Sequence, residues 1–440
     1  MQGISKEKIK VYNDKFYSNC QNQIMSNVLA NNEMINTIKL SERKPLNRHE
    51  FAIDIQTMKA CNQKNTGRCW IFAALNVLRE IVAKKCDIKE FELSQSYVAF
   101  YDKLEKINYK LENIIELCDR DYDDRTLSHI LSEGIQDGGQ WDMFVNVVKK
   151  YGIVPKSAFD ETYQSSNTRQ MNYVIATKIR QFASVASKLY KENKKEEIRV
   201  LKEEVLEQLY LFLCMNYGVP VEKFDFEYVD KGGNYHLEED FTPLSFFEKF
   251  IGNSLDDYVS IINAPTEDKP FNKMFTVKYV GNVIDGKEIE YLNLEINEFK
   301  ELCLKQLRDR EVVWFGSDCG KYGDGFGVWD DKMFDYKNTF GIDINIEKGE
   351  MLKYKSSAMD HAMVITGVSF KNNLPSKWKI ENSWGTEKGN NGYYLMSDSW
   401  FDKFVYQAVI NKKYLSEKQL EYLKQEKIAL QPWDPMGTLA

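Results

Sequence analysis

The chain has 440 residues, of which 43% are hydrophobic and 28% charged, with a formal net charge of −7. That balance fits a globular protein with ample length for a large core, as about three average domains or one elaborated domain. The negative charge gives no reason to expect nucleic acid or an anionic membrane as partner. No apolar run approaches the ~18 residues of a membrane span.

The first twenty residues, MQGISKEKIKVYNDKFYSNC, lack the apolar stretch of a secretory signal. The eight cysteines are scattered, with no CxxC pair and no zinc-type spacing, so a reduced, cytoplasmic protein is expected. In QKNTGRCWIF (63–72), Gly67 permits a tight entry turn, and WIFAALNVL beyond Cys69 predicts a buried helix. Tyr97, Phe100, Tyr101, Leu104, Ile107, Leu111 and Ile114 recur at helical spacing over 94–117. CDRDYDDR (118–125) lacks the Gly and closing Glu of a calcium loop and reads as a helix exit or surface turn. Residues 168–215 predict helices, with KENKKEEIRVLKEEVLEQL charged and amphipathic.

After about residue 270 the texture changes. MFTVKYVGN, EVVWFG, AMVITGVSF, KWKIEN and GYYLMS are β-branched and aromatic runs bounded by Gly, Asn and Pro, and predict strands. FGSDCGKYGDGFGVWDD lacks the GK[ST] ending of a phosphate loop and reads as an ordinary loop. Helices first and strands later predict an α+β fold, not a doubly wound sheet.

Cys69 is the residue with most chemical potential. At a helix N-terminus, free N–H groups and the dipole favour a thiolate; the alternative is a small buried hydrophobe, the usual state of a free cysteine. A thiolate needs a proton partner, and the chain offers His49, His129, His236 and His361. His361 opens a strand-like run in MDHAMVITGV, and KIENSWG follows with Asn382. An amide can accept the imidazole N–H without adding a charge and so fix the ring, and Trp384 could shield that bond from water.

Gln63, Cys69-Trp70, Asp360-His361-Ala362 and Asn382-Ser383-Trp384-Gly385, in that order, resemble the papain-type cysteine peptidases. The chain lacks the second cysteine that secreted members carry just ahead of the nucleophile. His361 and Asn382 lie about 300 positions after Cys69, against the roughly 130–150 of the simple enzymes, which implies a large insertion. DGGQWDMFVNVVKKYGIVPK (137–156) and the ending QPWDPMGTLA narrow the resemblance to the bleomycin hydrolase and bacterial aminopeptidase C branch, over the whole chain.

The resemblance implies a papain-like two-lobed fold, a helical lobe beside a β-barrel-like lobe. It implies one peptidase domain over 1–440, with a helical insertion at about 160–260 that would supply the subunit contacts, and a C-terminal arm, 427–440, in the active-site cleft. Cys69 is then the nucleophile, His361 its base and later acid, Asn382 the orienter of the imidazole, and Gln63 the oxyanion-hole donor. Gly138 and Gly139, which alone would read as a turn, correspond to the bare backbone that accepts the substrate's main chain. Trp384 is grouped with the substrate-binding residues. Ala440 would set a terminal carboxylate against the substrate's α-ammonium, leaving room for about one residue before the scissile bond, a charge pair strengthened by the reduced dielectric of a cleft. Removal of N-terminal residues through a thioester acyl-enzyme, activity on amides such as bleomycin, and a homohexamer are what the family implies; no metal or organic cofactor is expected. The alternatives are an endopeptidase of the same class and a nucleic-acid-binding or scaffold role, for which the Lys-rich 187–203 stretch is the support.

Overall fold

The computed structural model describes residues 1–439, and of Pro45 and Leu46 the backbone alone. The helix at Cys69–Cys86 forms where the sequence predicts it, and fourteen of its 18 residues are buried. It therefore runs through the middle of a core, where each large apolar side chain is worth about 1.5–3 kcal/mol. The helices Gln95–Glu116 and Trp141–Tyr151 pack beside it. The first starts at Ser94, whose hydroxyl accepts from the Tyr97 N–H, and turns Tyr97, Phe100, Ile107, Leu111 and Ile114 inward. Helices Arg169–Lys191 and Lys195–Tyr217 pair with each other and against Gln95–Glu116, completing a helical lobe.

The 160–260 block is helical as far as Tyr217 and again at Pro243–Phe250, with strands between. Past Gly218, whose φ of 93° ends the helix, an antiparallel hairpin follows, Phe224–Val229 with Tyr235–Phe241. Its first strand, FDFEYV, alternates aromatic and acidic side chains, a period-two pattern that suits a sheet with one covered face. Tyr258–Ile262 then enters the main sheet.

That sheet runs in the order 428–430, 273–277, 291–293, 258–262, 405–411, 313–317, 361–371, 374–381, 393–397 and 328–329. It is antiparallel in most pairings. All five predicted strand runs contribute to it. Alternation sorts its side chains. Trp314, Ala362 and Val364 join the core of the helical lobe, while Val313, Phe315, Met363 and Ile365 join a second core covered by helices Ile296–Arg308 and Asp398–Phe404. The cleft lies where the N-terminus of the buried helix meets the first residue of the 361–371 strand.

The 118–125 turn is solvated as expected, and Asp124 uses one oxygen to cap the helix Arg125–Glu133 through the Thr126 and Leu127 N–H groups. The C-terminal tail is ordered: Ile428–Leu430 adds a parallel edge strand to 273–277, and Pro435–Gly437 forms a single turn. At the other end, helices Lys6–Ser18 and Cys20–Asn31 bury none of their residues. None of the helices among the described residues is long and apolar enough to cross a membrane.

Candidate active site

Cys69 is the first residue of its helix and 2% exposed. Gly67 makes the approach possible: a Cβ there would stand 3.3 Å from Asp137 Cβ, and its N–H donates to Asp137 Oδ2 at 3.1 Å. The thiol Sγ accepts from the Ala362 N–H at 3.5 Å, which joins the helix start to the residue after His361 across 293 positions. Burial pushes the thiol pKa up to about 12, Asp360 adds to that, and the N–H groups of Ala362, Trp70 and Cys69 itself pull it down.

His361 begins its strand and is 4% exposed. Pairing of 361–371 with 374–381 places it beside Asn382, whose Oδ1 lies 2.8 Å from His361 Nε2. The same Oδ1 accepts from the Ser383 N–H at 2.7 Å. That second bond fixes the oxygen as acceptor, so Nε2 carries the ring proton and Nδ1 is the free base of the neutral ring. Burial holds the imidazole down to about 4, partly opposed by Asn382. Trp384 stacks on the ring, with centroids 4.8 Å apart and planes 26° apart. Its contact is therefore with the imidazole, where it keeps water from the His361–Asn382 bond.

Gln63 is held beside this pair by its backbone, whose N–H donates to Ser383 O at 2.8 Å. Its Nε2 donates to Thr66 O at 2.7 Å, and Thr66 Oγ1 returns a bond to Gln63 O at 2.6 Å. One amide N–H of Gln63 is thus used to shape the loop before Cys69. Five sequence-predicted residues, Gln63, Cys69, His361, Asn382 and Trp384, converge on one cleft.

Gly138 and Gly139 are buried on the loop that packs on Trp70. A Cβ on Gly139 would come within 2.5 Å of the Trp70 ring, so any side chain there would have to force the indole aside. Lys106 Nζ already donates to Gly138 O at 2.6 Å. Among the described residues the N–H and C=O of Gly139 have no hydrogen-bond partner.

The tail packs beside the loop that carries Gly139. Gln140 Nε2 donates to Thr438 O at 2.6 Å, Met436 is buried, and Leu439 packs on the helical lobe's core. A cavity of about 740 Å³ remains between Met359 and Asp360 on one side and Trp433–Leu439 on the other, with Lys106 and Gln136 in its wall. Ala440 lies outside the described residues.

Several residues that shape the site carry no signal in the sequence. Asp137 bonds the Gly67 N–H and the Asn172 amide and pairs with Lys103; those charged and polar partners hold its carboxyl well below the usual range against the effect of burial. Arg79, on the Cys69–Cys86 helix, pairs at 2.6 Å with Glu381, the neighbour of Asn382, and both side chains are 1% exposed. Such partners are brought together by the fold from distances of 70 and 302 residues.

The geometry offers a thiol at a helix N-terminus, a base with a fixed tautomer, and an amide donor beside them. The chain matches the model of the Peptidase C1-like family over residues 3–437. It is 46% identical over 395 residues to an aminopeptidase C from Lactobacillus delbrueckii subsp. lactis, covering 89% of this chain and 88% of the relative. It is 36% identical to bleomycin hydrolase of Mus musculus, covering 100% and 99% of the two chains. The crystal structure of PepW from Lactobacillus rhamnosis superposes with a TM-score of 0.98 at 42% identity, covering 100% of this chain and 99% of that one. The chain belongs to the Peptidase C1-like family of papain-like cysteine peptidases.

Proposed function

We propose that this chain is a cysteine aminopeptidase that releases N-terminal residues from peptides through a thioester acyl-enzyme. The observation that carries the reading is the buried Cys69 at a helix start, bonded to Ala362, with His361 held by Asn382 at 2.8 Å in the same cleft. Isolated charges are costly there, since burial favours the neutral thiol and the neutral imidazole. Proton transfer from Cys69 to His361 Nδ1 makes both charges at once, so each offsets the other's desolvation. The helix N–H groups stabilise the thiolate, and Asn382 accepts from the imidazolium.

The thiolate attacks the scissile carbonyl carbon, and the oxyanion is met by the free Gln63 N–H and the Cys69 backbone N–H. His361 then gives its proton to the leaving amine, and water, deprotonated by the same ring, hydrolyses the thioester. Gly139 holds the substrate's main chain. The arm, 427–440, limits the non-primed side so that a free amine is required, the role in which Ala440 is proposed to face the α-ammonium. Hydrolysis of other amides that present a free amine, as the name bleomycin hydrolase suggests of that relative, belongs to the same chemistry.

A homohexamer in the cytoplasm completes the reading. Its support is the family resemblance, the exposed apolar side chains Val11, Tyr12, Phe16 and Tyr17 on the first helix, and eight unpaired cysteines that suit a reducing compartment. The test is digestion of matched free-amine and N-acetylated peptides by the intact chain, by Cys69→Ala and by a chain ending at residue 430. Rapid cleavage of N-acetylated peptides by the intact chain would overturn the aminopeptidase reading in favour of an endopeptidase.

A further inference from the structure

The arm has to be held at one depth if it is to count substrate residues, and the contacts that hold it are unevenly placed. Its strand, 428–430, pairs with 273–277 well before the cleft. Closer to the end, the chain turns sharply at Asp434. Oδ1 of Asp434 accepts from the Met436 N–H at 2.8 Å and caps the turn Pro435–Gly437, while Oδ2 lies 2.8 Å from Lys269 Nζ. Lys269 is only 3% exposed and its carbonyl is fixed by buried Asn293, whose Nδ2 donates to it at 2.7 Å. One carboxylate therefore both shapes the last turn and ties it to a rigid cation. Four residues on, Gln140, next to Gly139 and fully buried, donates to Thr438 O. Trp433 is clamped from outside by the Arg125 guanidinium at 3.9 Å.

We infer that the Lys269–Asp434 pair, with Gln140–Thr438 as its second pin, is the specificity-determining register lock of the arm. It rests on the reading that the arm limits cleavage to the N-terminal residue. Extended chain advances about 3.3 Å per residue, so a slip of the turn by one residue opens or closes space for one substrate residue. Losing the lock lets the end of the arm withdraw, and a substrate with two residues before the scissile bond enters. The bonds made and broken are those of the peptidase reaction itself; only the accepted length changes.

The experiment measures kcat/KM for a free-amine aminoacyl coumarin amide and for a free-amine dipeptidyl coumarin amide. The chains compared are the intact one, Asp434→Asn, Lys269→Met, Lys269→Arg, and one ending at residue 430. The expected result is a dipeptidyl-to-aminoacyl ratio raised at least about tenfold by Asp434→Asn and Lys269→Met, equivalent to about 1.4 kcal/mol. Lys269→Arg, which keeps the charge, holds the ratio near that of the intact chain, and truncation raises it furthest. Should Lys269→Met fail to fold, Asp434→Asn reads the same contact from the arm, where the amide oxygen retains the cap. If truncation raises the ratio and Asp434→Asn does not, the arm is the selector and the lock is refuted. If truncation also leaves the ratio unchanged, the arm reading itself falls.

Discussion

Replacing Glu381 by Gln tests how the nucleophile and its orienting amide are held together. Glu381 sits immediately before Asn382, and its carboxylate pairs with Arg79 on the Cys69 helix at 2.6 Å, both groups 1% exposed. Thr57 Oγ1 donates to the other carboxylate oxygen at 2.7 Å. The amide keeps the shape and removes the charge. Arg79 then retains the carbonyls of Met58 and Lys59 at 3.2 and 3.1 Å, and Cys61 Sγ at 3.1 Å, but loses its closest counter-charge. Breaking one half of a buried ion pair costs about 3–5 kcal/mol, most of it the uncompensated charge. With an unfolding entropy of about 2.1 cal/mol/K per residue, the whole chain loses about 4 °C in melting temperature. The denaturant midpoint falls with it, followed by tryptophan fluorescence. Because the pair bridges the Cys69 helix and the Asn382 strand, kcat is expected to fall while KM changes little. Arg79→Met combined with Glu381→Leu removes both charges and is expected to recover most of the stability. A loss below about 1 kcal/mol in Glu381→Gln, the range of an exposed pair, would show that water or other acceptors serve Arg79 and would refute the reasoning.

Other expectations concern the cleft directly. Gln63→Ala is expected to lower kcat by about 10²–10³ with little change in KM, since its free N–H meets the oxyanion only as charge develops. Burial depresses the His361 pKa to about 4, so the acid limb of kcat/KM lies below the ordinary imidazole value of about 6.5. Trp384→Ala admits water to the ring and is expected to move that limb upward, as a pH–rate profile would read. The sign for stability follows: the folded state resists protonating His361, so its contribution is complete above about 6.5 and is lost as pH falls toward about 4. Gly139→Ala forces a methyl group against the Trp70 ring and is expected to cost about 1–3 kcal/mol as overpacking. Its KM is also expected to rise, and a wild-type melting curve would refute the close approach.

The sequence by itself determined the chemistry. A single cysteine between Gly67 and an apolar run, one histidine at the mouth of a strand, and Asn382-Ser383-Trp384 were legible because helix starts and strand ends have local signatures, and because the motif order matches a known family. Periodicity also gave the long helices and five strands, each a property of neighbouring residues. The hairpin at 224–241 is weakly marked in the sequence, since its short aromatic and acidic alternation comes soon after a long charged helix. What only the tertiary structure decided is how those parts are held. Asp137 beneath Gly67, Arg79 against Glu381, Gln140 on Thr438 and Lys269 on Asp434 join segments 70 to 302 residues apart. A charged or amide side chain looks the same in sequence whether it faces water or a buried partner; burial is what makes the pairing matter, and burial is a property of the packed chain.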